Sequence, residues 1–171
     1  MQQSYFALFN LEPRFALAME QLDSAYRALA ARVHPDKFAH ADAQEQRMAL
    51  QLATQANEAY RALKKPVSRA RHLLDLRGQS EQAGSTTQQN FLIEQMEWRE
   101  ALDDASSARD LHGLTKLNQS VRERSRVLQR QLEQQLDQLN DAAAATHTVQ
   151  QLMFVEKLLN NIDDARSRLE D

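Results

Sequence analysis

The chain has 171 residues, 42% of them hydrophobic and 26% charged, with a formal net charge of −3; these values suit a folded globular protein and exclude wholesale disorder. The absence of cysteine excludes disulfides, thiolate metal sites, cysteine nucleophiles and an iron–sulfur cluster held by the chain's own thiolates. Three glycines and three prolines are too few for the turns of a β-rich or α/β fold, the near-neutral charge gives no support for nucleic-acid binding, and no run has the character of a signal peptide or a membrane span.

Taken in chain order, Tyr5, Phe6, Leu8, Phe9 and Leu11 form a brief apolar segment, expected as a helical turn or two. Leu22, Tyr26, Leu29 and Val33 recur at four, three and four residues, one face of a helix that Pro35 ends. A second helix is expected from Asp42, with Glu45 completing a capping box and a buried stripe of Met48, Leu52, Ala56, Ala59/Tyr60 and Leu63, up to Pro66. A short helix comes next, with Leu73, Leu74 and Leu76 packing back. Residues 77–90 hold two of the three glycines and little to bury, which reads as a connection. Beyond it three long helices are expected: about 89–110, then 113–140 along Leu114, Leu117, Val121, Leu128, Leu132, Leu136 and Leu139, then from about Thr148 along Leu152, Val155, Leu159, Ile162 and Leu169. Short connections between long helices imply an antiparallel three-helix bundle. Charge divides accordingly: residues 1–75 carry ten basic and eight acidic side chains, residues 76–171 eleven and sixteen.

Two features carry candidate chemistry. His34-Pro35-Asp36-Lys37 lies between two helices, where proline stiffens a loop that presents an imidazole and a carboxylate; a rigid exposed carboxylate suits the capture of a partner's arginine. The first helix of the second half carries two apolar stripes, Phe91, Trp98 and Leu102 on one side and Leu92, Ile93 and Met96 nearly opposite, with Glu97 and Glu100 at their edge. A bundle helix needs one such stripe, so the second is expected to face a partner. Phe154 also falls outside the buried line of its helix.

Residues 4–76 resemble a J domain, the module with which co-chaperones stimulate the ATPase of DnaK-type chaperones. The likeness rests on Tyr5-Phe6-x-Leu8-Phe9, Tyr26-Arg27-x-Leu29-Ala30, His34-Pro35-Asp36-Lys37 and Asn57-Glu58-Ala59-Tyr60-x-x-Leu63. Pro66-x-x-Arg69-Ala70-x-x-Leu73-Leu74 and Phe91-Leu92-x-Glu94-Gln95-Met96-Glu97-x-Arg99-Glu100 narrow the resemblance to the HscB family of iron–sulfur co-chaperones. It implies an all-α protein: a J domain over 1–76, a linker over 77–88 and a three-helix bundle over 89–171. It further implies that His34, Pro35, Asp36 and Lys37, helped by Arg27 and Arg32, engage the chaperone HscA, and that Leu92, Ile93, Met96, Glu97, Glu100 and Phe154 hold the scaffold IscU. Two binding surfaces with no active site, no cofactor and no metal are expected, in a bacterial cytoplasmic protein. A general J-domain co-chaperone with another client, or a helical structural adaptor, competes with this reading.

Departures from the family pattern are specific. Asp23, Ser24 and Ala28 stand where J domains are often basic, Ala18 replaces a frequent aspartate N-cap, and Val33 replaces an aromatic residue. The spacing of His34, His40, Asp36 and Asp42 fits no common metal-ligand pattern. A P-loop is absent, and Arg122, Arg124, Arg126 and Arg130 are expected as solvent charges.

Overall fold

The structure, a computed structural model, describes residues 4–79 and 89–170, and every regular element among them is helical. Contacts cluster into two units, Met1–Ser80 and Glu81–Asp171. Residues 80–88, most of the expected linker, lie outside the described residues.

The first unit holds α1 (Tyr5–Leu8), α2 (Met19–Arg32), a 3-10 turn (Pro35–Phe38), α3 (Ala43–Lys64) and α4 (Pro66–Leu76). Helices α2 and α3 form an antiparallel hairpin whose buried line on α3 is Ala49, Ala56, Ala59 and Leu63. Met48, expected in that line, is instead exposed. The reason is helical phase: two steps of four residues back from Ala56 overshoot the 3.6-residue period by about 80°, whereas seven residues back to Ala49 miss it by only about 20°. Phe6, Phe9, Leu22, Val33, Leu73 and Leu74 fill the core with them. Phe15, on no periodic line in the sequence, is buried too, beneath the Arg69 guanidinium at 4.8 Å.

The ends of these helices obey local chemistry. The Asp42 carboxylate accepts from the amides of Gln44 and Glu45, both at 2.8 Å, satisfying two orphan donors of α3. Ala18 occupies the same station on α2 with no side-chain bond to offer. Pro66 opens α4, and the Arg69 Nη1 donates to the Leu63 carbonyl at 2.8 Å as α3 ends. Gly78 closes α4 at φ +67°, with the Gln79 amide reaching the Leu74 carbonyl at 2.9 Å. The Tyr5 amide donates to His72 Nε2 at 3.0 Å, with the two rings stacked at 4.2 Å, so α1 is tied to α4 by an imidazole that must be neutral to accept.

The second unit holds α5 (Gln89–Ser107), α6 (Leu111–Glu133), a π-turn (Gln134–Gln138) and α7 (Ala142–Glu170). Leu114, Val121, Leu128 and Leu132 meet Val149, Leu152, Val155 and Ile162 in the core, and Phe91 and Ala105 bring α5 onto them. Four sequence expectations shift. Helix α5 stops at Ser107 rather than near 110, because Arg109 takes the left-handed conformation (φ +54°) and the Asp110 amide returns to the Ala105 carbonyl at 2.8 Å. Helix α7 starts at Ala142, six residues before Thr148, capped by Asp141 through the Ala144 amide. Leu158 is buried and Leu159 only half so. Leu139, expected in the α6 stripe, is exposed, because the π-turn inserts an extra residue and rotates the residues beyond it. Arg122, Arg126 and Arg130 of α6 are exposed, as expected of solvent charges, and pair with Asp163 (3.6 Å) and Glu123, whereas Arg124 is half-buried and reaches Glu94 at 3.1 Å, which ties α6 to α5.

Candidate partner-binding sites

The loop between α2 and α3 is built by its own residues. Pro35, with φ fixed by its ring, opens the 3-10 turn, and the Lys37 amide returns to the His34 carbonyl at 3.0 Å. The His34 Nδ1 accepts from the Asp36 amide at 3.3 Å and lies 3.6 Å from the Asp36 carboxylate. The backbone and imidazole thus hold the base of Asp36 while its side chain stays 90% exposed, a positioned acceptor open to solvent. Lys37 is exposed beside it. Arg27 and Arg32 are exposed on α2, but five residues of helix put them about 140° apart, so they share no face.

In the sequence Asp23 stands out only as a missing cation. In the structure its carboxylate accepts from the Tyr60 hydroxyl at 2.8 Å and lies 3.5 Å from Lys64 Nζ, which also donates to Tyr60. The Tyr60 bond first, then the Lys64 charge, hold its pKa below the usual carboxylate range. Tyr60 stacks on Tyr26 at 4.2 Å, and the Tyr26 hydroxyl donates to Asn57 at 2.7 Å. This strut pins α2 to α3 across more than thirty residues of sequence, a pairing that no local pattern announces.

On α5 the two stripes separate. Phe91 is buried and Trp98 half-buried, while Leu92, Ile93 and Met96 are 46%, 51% and 70% exposed, with Glu97 and Glu100 exposed beside them. Phe154 of α7 packs with the inner stripe: its ring meets Phe91 edge-on at 5.8 Å and stacks on Trp98 at 6.4 Å. The family resemblance groups it with Leu92, Ile93 and Met96; its ring contacts here are with Phe91 and Trp98 of the inner stripe. The Arg99 guanidinium lies over Phe154 at 5.4 Å, and Leu92 stands about 20° from Arg99 round the helix, so Arg99 bridges the two groups. Among the described residues no cluster of three or more His, Asp or Glu is placed to hold a metal, and no helix is long and apolar enough to cross a membrane.

A helical hairpin with a His-Pro-Asp loop, followed in the chain by a three-helix bundle, defines the class of J-type co-chaperones. A family model described as the HSCB C-terminal oligomerisation domain matches residues 87–163. Over 99% of its length the chain is 43% identical to a co-chaperone protein HscB homolog of Aromatoleum aromaticum, and 44% identical to that of Burkholderia multivorans, covering 97% and 98% of those proteins. Among solved structures, chaperone HscB from Vibrio cholerae superposes with a TM-score of 0.87 at 37% identity over 98% of this chain and 99% of that one. Human co-chaperone protein HscB shares the fold, with a TM-score of 0.87 at 24% identity over 95% of this chain and 81% of that chain. The chain belongs to the HscB co-chaperone family.

Proposed function

We propose that the chain couples two partners through surfaces on its two units, and performs no covalent chemistry itself. The first unit docks on the ATPase of an HscA-type chaperone, where Asp36 accepts a charge-assisted bond from a chaperone arginine and His34, Pro35, Lys37, Arg27 and Arg32 support the contact. The second unit holds an IscU-type iron–sulfur scaffold against Leu92, Ile93, Met96, Glu97, Glu100 and Phe154. Binding both partners on one chain raises the scaffold's effective concentration at the chaperone, so that ATP turnover is spent on scaffold-loaded complexes and clusters pass on to acceptor proteins. The observation that carries the reading is the Asp36 carboxylate, positioned by its own loop yet 90% exposed.

Steady-state ATPase of the cognate HscA, with and without IscU, tests it. The intact chain stimulates turnover, scaffold adds synergistically, and Asp36→Asn abolishes both at unchanged helicity. Stimulation without synergy would reassign the client of the second unit; no stimulation by a folded chain would return it to a structural adaptor.

A further inference from the structure

A cleft of about 330 Å³ runs between α5 and α7 beside Phe154. Arg99, Leu102 and Asp103 form one wall; Phe154, Lys157 and Asn161 belong to the other. Leu102 and Asp103 lie three and four residues after Arg99, and Lys157 and Asn161 three and seven after Phe154, so the lining of each helix lies along neighbouring turns. Neither Arg99 nor Lys157 has a carboxylate partner among the described residues, in a unit where the arginines of α6 are all paired. Asp103, four residues after Arg99, leaves the lining with two cations against one acid. Buried Leu158 also lines the cleft, and the Phe154 ring in its wall is stacked on Trp98 with Arg99 laid across it.

The exposed stripe therefore has unlike ends. Going round α5 from the cleft, Leu92 and Met96 come after Arg99, and Glu100, Ile93 and Glu97 lie beyond them at the acidic edge. We infer that the cleft is an acid-binding subsite: a carboxylate side chain of the docked scaffold enters between Arg99 and Lys157, next to the apolar contact on Leu92 and Met96. The charge difference between the two edges then sets which way round the scaffold lies, a specificity that a purely apolar patch lacks. Asn161 adds a neutral hydrogen-bond donor for the second carboxylate oxygen. This inference rests on the second unit's holding the scaffold, as proposed above.

The test uses the full chain and the cognate IscU scaffold, with binding measured by calorimetry at low and moderate salt. Lys157→Glu reverses one cleft charge at an exposed site, and Leu92→Ala with Met96→Ala removes the apolar contact. Scaffold-free ATPase stimulation, which depends on the other unit, together with unchanged helicity, reports that each variant is folded. The expected result is about tenfold weaker binding by Lys157→Glu with a flatter salt dependence, and partial recovery by Lys157→Gln. Unchanged or tighter binding by Lys157→Glu, while the Leu92/Met96 double variant binds more weakly, would overturn the acid subsite and leave the scaffold reading standing. Unchanged binding by both, or no binding by the parent chain, would overturn the scaffold reading and the subsite together.

Discussion

Phe91→Ala isolates what holds α5 to its unit. Phe91 is only 3% exposed, meets Phe154 at 5.8 Å and Trp98 at 6.3 Å, and lies 6.0 Å below the Arg124 guanidinium. Truncating a buried phenylalanine costs about 3–5 kcal/mol, of which each aromatic edge accounts for roughly 0.5–1.5 kcal/mol. Phe91 is the third residue of α5, so the helix end settles partly into the space, and the lower figure of about 3 kcal/mol applies. With a urea slope of about 2 kcal/mol per molar, the unfolding midpoint falls by about 1.5 M. The assay is local by composition: the single tryptophan, Trp98, belongs to this unit, whereas all three tyrosines lie in the other. Trp98 fluorescence should show the full shift while tyrosine fluorescence keeps its midpoint. A Trp98 shift below about 0.5 M, near 1 kcal/mol, would refute the claim that this cluster fastens α5.

Local geometry sets three further outcomes. Burial pushes the His72 pKa below its ordinary 6.5, so the unfolded chain binds the proton better; stability is full above about 6.5 and declines as pH falls through the lowered value, a slope in tyrosine-detected melting between pH 7 and 5 that His72→Gln removes. Asp23 and Glu123, whose pKa values are also lowered, act only in the carboxylate range beneath that window, so a parent slope confined to pH below 5 would contradict the role of His72. Arg109→Gly relieves the left-handed residue that closes α5 and raises the Trp98 midpoint by the equivalent of about 1 kcal/mol; a fall would mean that the Arg109 side chain itself holds the turn. Ala18 already has the extended backbone of an N-cap, so Ala18→Asp should stabilise the first unit by about 1 kcal/mol in a tyrosine-detected melt, with no change there arguing against a vacant cap.

Most of the helices are legible in the sequence because apolar spacing and punctuation agree: Asp42 caps, Pro35 and Pro66 interrupt, and lines such as Leu114–Val121–Leu128 keep one face. Where the two part, the cause is helical phase. Met48 is larger and more apolar than Ala49, but angle outweighs size, and Leu139 continues a line that the π-turn has already rotated. The His-Pro-Asp loop is legible because its geometry is made by adjacent residues. The Asp23–Tyr60–Lys64 strut and the Arg99–Lys157 cleft are not, since both are made by side chains that only the packing of separate helices brings together. Phe154 stands between these cases: its break from the buried line is visible, but which flank of α5 it joins depends on where α7 runs.

The π-turn at Gln134–Gln138 also bears on which changes in chain length this bundle accepts. The Leu139 amide reaches back five residues to the Gln134 carbonyl at 3.0 Å, one residue more than an α-helical turn contains. A chain lacking any one residue of that stretch can close the same gap as plain α-helix, because one residue fewer at about 100° per step turns the chain about as far as the π-turn does, so the residues beyond keep their direction. Leu139 would stay exposed and the residues leading into α7 would keep their packing. This end of the bundle is therefore a place where a one-residue deletion is absorbed by a change of helix type, while the same deletion one turn earlier, between Leu128 and Leu132 of α6, would push a buried leucine into water.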